Sequence, residues 1–171
     1  MNEQIAILGL IEVLSAISCG VFILWLTFRM ARVYGKKRLG VTKSNISFNI
    51  LVAGILFSVG YIMAGVIQPI LESFRLLSAS DIETGSLVWK FLSTGGMYIA
   101  ISYVSAVLIT LVGMRLYTVM TSMDEAEEIK ENNVGVAIIM SVILIVMSLM
   151  TRDGVVLIIE SLIPYPELPP L

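Results

Sequence analysis

Four long apolar stretches constrain this chain more than any other feature. They are residues 5–28, broken only by Glu12; residues 48–71, with no charge; residues 92–114, also uncharged; and a run from Val134 that is clean to Thr151. Arg152, Asp153 and Gly154 interrupt the last run, and a short apolar segment, 155–163, follows. A membrane-spanning helix needs about 20 mostly apolar residues. None of the four alternates as a barrel strand would, and each is far longer than a strand. With 171 residues that are 57% hydrophobic and 14% charged, a water-soluble fold would have too few polar side chains to cover its surface. The expected fold is all-α: a polytopic membrane protein of four transmembrane helices, with the lipid bilayer as its solvent.

Several chemistries are excluded at the same level. The chain has no histidine, and its single cysteine, Cys19, leaves no internal disulfide and no cysteine metal cluster. A net charge of −2 gives no nucleic-acid footprint. No nucleophile stands with a base, no paired carboxylates face a cavity, and no metal-ligand spacing occurs. The expectation is a protein that is not an enzyme and holds no cofactor or metal.

Charge fixes the predicted orientation. The first connection carries Arg29, Arg32, Lys36, Lys37, Arg38 and Lys43 and no acid, and the third carries Arg115 and Lys130. The opposite side has only Arg75, Lys90 and Arg152. The excess of basic residues places the first and third connections in the cytoplasm and both termini outside. The first span has no basic residue before its apolar run, so it reads as a retained helix and not as a signal peptide.

The chain also resembles itself. VFILWLTFRM from Val21 aligns with VLITLVGMRL from Val107, and NISFNI from Asn45 with NVGVAI from Asn133. Arg29 thus matches Arg115 at the end of each odd span, and Asn45 matches Asn133 at the start of each even one. Two tandem helical pairs of this kind cross the membrane in the same sense, related by an axis along the membrane normal. The expected organisation is a first pair over 1–71, an outer connection over 72–91 lying along the surface, a second pair over 92–163, and a proline-rich tail over 164–171. Asn45 and Asn133 are expected to cap the even spans, because asparagine before a helix accepts from the free first-turn amides; ligand contact is the lesser reading.

The third connection is expected to continue the third helix as an amphipathic extension. Val119, Met120, Met123, Ala126 and Ile129 lie at helical spacing, and Asp124, Glu125, Glu127, Glu128 and Glu131 fill the other face. Those five acids are the candidate partner-docking residues, and they are expected to attract the basic first connection. Small residues recur four apart at Ala16 and Gly20, Gly54 and Ser58, Gly60 and Ala64, Gly96 and Ala100, and Ser102, Ala106 and Thr110. Close packing of such residues drives helix association in lipid, and these faces exceed what one bundle needs, which points to a homo-oligomer or a subunit of a membrane complex.

Glu12 lies about 10 Å inside the first span, and Arg152 falls on the same outer half. Intramembrane ionisable residues are functional candidates. Two readings stand: an outer ion or ligand site, or a structural ion pair pinning the first helix to the fourth. Two functions follow: an oligomerising or partner-docking subunit, or alternatively an ion channel or small-solute transporter with an outer site near Glu12.

The doubled unit, the GMRLY run from Gly113 and the stretch ENNVGVAI from Glu131 resemble a bacterial membrane family, domain of unknown function 350. Its second helix opens with Asn-x-Ala-x-Ala. Here the second copy reads Asn133, Val134, Gly135, Val136, Ala137, with Gly for Ala, and the first copy, from Asn45, is degenerate. The resemblance implies a bacterial inner-membrane protein of four spans without an assigned activity, and partners among envelope-stress and membrane-remodelling proteins.

Overall fold

The computed structural model describes residues 3–41, 45–78, 84–121 and 124–163. Five helices follow one another: α1 (Glu3–Tyr34), α2 (Ile46–Ser78), α3 (Thr84–Thr121), α4 (Glu125–Lys130) and α5 (Val134–Leu162). A π-helical turn, Gly35–Leu39, prolongs α1. There is no strand among the described residues. The four long helices each contain a segment apolar enough to cross a membrane: Ala16–Lys37, Ile46–Ser73, Ser93–Thr121 and Val134–Leu162. The chain is an all-α, multi-pass membrane protein.

Two boundaries differ from those the sequence predicts. The stretch 72–91 is mostly helix, because α2 runs through Pro69 to Ser78 and α3 begins at Thr84. Helix growth explains this, since each added residue gains a backbone bond once a turn exists. The short run 155–163, which by composition could extend the fourth span or lie at the interface, extends it as far as Leu162, since α5 passes Arg152–Gly154 without a break and buries Val155 and Ile159. The acidic stretch does not continue α3. It forms the separate helix α4, because the Asp124 side chain accepts from the Ala126 and Glu127 amides and starts a new first turn. The tail 164–171 and the side chains of Trp89, Arg75 and Lys90 lie outside the described residues.

The bundle is built around α2 and α5, which share its most extensive interface. Their contacts rise together along both sequences, so the two helices run parallel: Ile46 meets Asn132, Ile50 meets Ser141, and Gly65 meets Arg152. The close approach depends on Gly54. A Cβ there would stand 2.8 Å from the Ser141 Cα, which is backbone and cannot step aside. With the helices this close, the Ser141 hydroxyl donates to the Ile50 carbonyl at 3.1 Å.

Helix α3 packs antiparallel across both members of this pair, while α1 packs mainly on α2. Of the small-residue faces, Gly54 with Ser58 and Ser102 with Ala106 and Thr110 are buried in the bundle. Gly96 and Ala100 face outward. The hydroxyls of Thr27, Ser102 and Thr110 donate to carbonyls one turn back, at 2.7–2.8 Å, which lets a polar side chain sit inside an apolar bundle.

Candidate functional site: a joint of three asparagines

The most elaborate polar arrangement lies where α2, α4 and α5 meet. It starts from a backbone requirement. The first amides of a helix have no intrahelical acceptor, and near lipid an unpaired amide costs several kcal/mol, on the order of a lost hydrogen bond or more. In α2 these amides are satisfied by two different asparagines. Asn132 Oδ1 accepts from the Ile46 and Ser47 amides at 2.8 and 3.0 Å, and Asn45 Oδ1 accepts from the Phe48 amide at 2.7 Å. Asn133 does the same for α5, its Oδ1 accepting from the Gly135 and Val136 amides at 3.1 and 3.4 Å.

The same residues end α4. Asn132 adopts a left-handed conformation with φ of 64°, which asparagine tolerates better than most residues. Its amide donates to the Ile129 carbonyl at 3.1 Å, and the Asn133 amide donates to the Glu128 carbonyl at 2.9 Å. That is a Schellman closure of the helix C-terminus. Asn45 Nδ2 adds a bond from α2, donating to the Ile129 carbonyl at 2.7 Å. Asn133 Nδ2 donates to Glu128 Oε2 at 2.6 Å. Ile129 is buried at 1% exposure among Phe48, Tyr117 and Ala137. A helix of six residues is too short to hold itself in water; it is held here by its caps, three asparagines and one buried isoleucine.

Asn45 and Asn133 therefore occupy capping positions, and Asn132, which the sequence did not single out as a cap, caps α2 from a distant part of the chain. Of the five candidate acids, Asp124 is spent on capping α4, and Glu128 binds Asn133. Glu127 and Glu131 stand exposed and Glu125 half-exposed. The signal for α4 was present as Asp124-x-x-Glu127, a capping pattern. Helix α4 packs beside the Gly35–Leu39 turn with its Lys36 and Lys37, so the acidic and basic connections are neighbours. Among the described residues, however, the ion pair at this end is Lys130 Nζ with Glu127 Oε1, at 3.3 Å within α4 itself.

At the opposite end, Arg152 wedges between α2 and α5 against Gly65. Its guanidinium stacks 4.9 Å from the centre of the Tyr61 ring, and Nη1 donates to the Tyr61 hydroxyl at 3.3 Å. Nε is buried without a partner among the described residues. The other half of the expected pair, Glu12, lies on α1, with its side chain outside the described residues. No group of three metal-ligating side chains occurs among the described residues.

Neither the curated proteins nor the solved structures include a match to this chain. A family model does match, over residues 4–155. That span takes in the first three membrane helices, α5 as far as Val155 and the whole asparagine joint, and it places the chain in the family described as Domain of Unknown Function (DUF350).

Proposed function

We propose that this protein is a docking subunit of a membrane complex, with α4 as a fixed acidic ledge. The observation behind this reading is the fastening of α4. Side chains from Asn45, Asn132 and Asn133 bind a six-residue helix to the starts of two membrane helices. Glu125, Glu127 and Glu131 remain exposed or half-exposed on it. A rigid charged surface loses little conformational entropy on binding, which favours a specific partner over loose association. By the positive-inside rule this end faces the cytoplasm of a bacterial inner membrane, and both termini lie outside.

The tandem-pair organisation belongs to the same reading. It is supported by the parallel course of α2 and α5 and by the asparagine before the first turn of each. Gly96 and Ala100 on the outer surface of α3 offer a close-approach face for a second copy.

The test is charge reversal at Glu125, Glu127 and Glu131 together, sparing the Asp124 and Glu128 side chains that hold the joint. Pull-down from native membranes should lose the partner, with the helical content unchanged. Retention of every copurifying protein would remove the docking role.

A further inference from the structure

Because α1 and α3 both lean on α2 and touch each other little, a groove opens between them with α2 as its floor. It holds about 190 Å³. Thr27, Ala31 and Tyr34 of α1 form one wall, Val107, Leu111 and Met114 of α3 the other. The Tyr103 hydroxyl closes one end, meeting Thr27 Oγ1 at 3.3 Å and donating to Met30 Sδ at 3.3 Å. From there the groove runs toward the basic end for about 10 Å along α1, the seven-residue rise from Thr27 to Tyr34.

The lining is almost wholly apolar, whereas the mouth is cationic. Met30 and Tyr34 are shared with a second, shallower depression along α1 that Arg29 and Lys37 line. Arg29 is exposed, with its guanidinium held 5.4 Å from the Trp25 ring centre. On the other wall, the exposed Arg115 follows directly after Met114. The acids at this end sit on α4, which is bound to the starts of α2 and α5 and packs beside the turn that carries Lys37; among the described residues none of them pairs with Arg29, Lys37 or Arg115, the ion pair there being Lys130 with Glu127. An apolar slot open to the bilayer with three cations at its headgroup end matches one chemistry: an acyl chain joined to an anionic headgroup.

We propose that this groove seats one acyl chain of an anionic phospholipid, with its phosphate among Arg29, Lys37 and Arg115. Neutral lipids satisfy the slot but not its mouth. Each basic contact to an anionic headgroup is worth about 1 kcal/mol, or roughly a fivefold preference.

Trp25 lines the Arg29 depression and reports on it. The experiment uses the full chain with Trp89→Phe, in nanodiscs, with brominated phosphatidylglycerol or brominated phosphatidylcholine at equal mole fraction. Phosphatidylglycerol should quench Trp25 with an apparent affinity at least about fivefold higher. Replacing Arg29, Lys37 and Arg115 by Gln should bring the ratio to about one while quenching by phosphatidylcholine persists. Filling the slot with Val107→Phe should reduce anionic selectivity, and Leu111→Phe provides an independent filling variant if the first does not fold. Equal quenching by the two lipids in the starting protein would overturn the proposal. So would selectivity that survives the triple replacement, or protection of Trp25 from both lipids, which would mean that a second protein copy covers the Arg29 depression at the groove's mouth.

Discussion

The α2–α5 pair and helix α1 are all apolar enough to cross a membrane, yet they do opposite jobs. Along α2, one face is closed against α5 and others against α1 and α3, so that Val59, Ile62 and Val66 are at most 1% exposed. Along α1, only Ile23, Thr27 and Ala31 are buried among the described side chains, and Val21, Phe22, Trp25 and Phe28 stand outward. Helix α1 is the less apolar of the three, but hydrophobicity does not drive helix against helix in a bilayer, since lipid tails are as apolar as leucine. Steric fit and hydrogen bonding do. The central pair has Gly54 under the Ser141 backbone, a hydroxyl bond to Ile50 and shared asparagine caps. Helix α1 is held to the bundle at a few points, chiefly Arg32 Nη2 to Asn49 Oδ1 at 2.9 Å and the Thr27–Tyr103 contact.

If that contrast is correct, substitutions should rank by which helix they touch. The largest effect is expected from Gly54→Leu, which forces α2 and α5 apart and should yield no folded protein. Gly54→Ala should cost about 1–3 kcal/mol, in the range of core overpacking, as measured by steric-trap unfolding in bicelles. Next comes Asn132→Gly. It keeps the left-handed backbone but removes the acceptor for Ile46 and Ser47, and should cost about 1 kcal/mol. Asn132→Ala should cost more, because alanine also disfavours the positive φ. Ser141→Ala removes one interhelical bond, worth about 1 kcal/mol or less. Phe22→Ala on the outer face of α1 should stay within about 0.5 kcal/mol. A Phe22→Ala cost equal to that of Gly54→Ala would break the comparison.

The sequence made some of this legible and hid the rest for physical reasons. Span number and helical class followed from hydropathy, because a chain in lipid must satisfy its backbone internally. Asn45 and Asn133 were readable because capping is local, set within three residues. Asn132 was not, because its side chain serves amides more than 80 residues away. The packed face of α5 was also hidden: buried Val136 and Leu144 and outward Ile138 and Val142 have the same composition. The extension of α2 beyond residue 71 was not expected, because the apolar run ends there; the continuation of α5 past Arg152–Gly154 was one of two readings that composition alone leaves open. A proline removes one bond without stopping a long helix whose neighbours supply the rest.

The central claim is that α2 and α5 lie side by side and parallel, joined at the end where α4 sits. Spin labels on a Cys19→Ser background test it through the exposed positions Ile46, Val134 and Leu162. Pulsed dipolar spectroscopy in nanodiscs should give a short Ile46–Val134 distance, under about 20 Å, and an Ile46–Leu162 distance near 40 Å, the rise of α5 over its length. A short Ile46–Leu162 distance with a long Ile46–Val134 distance would contradict the parallel pair and the joint built upon it.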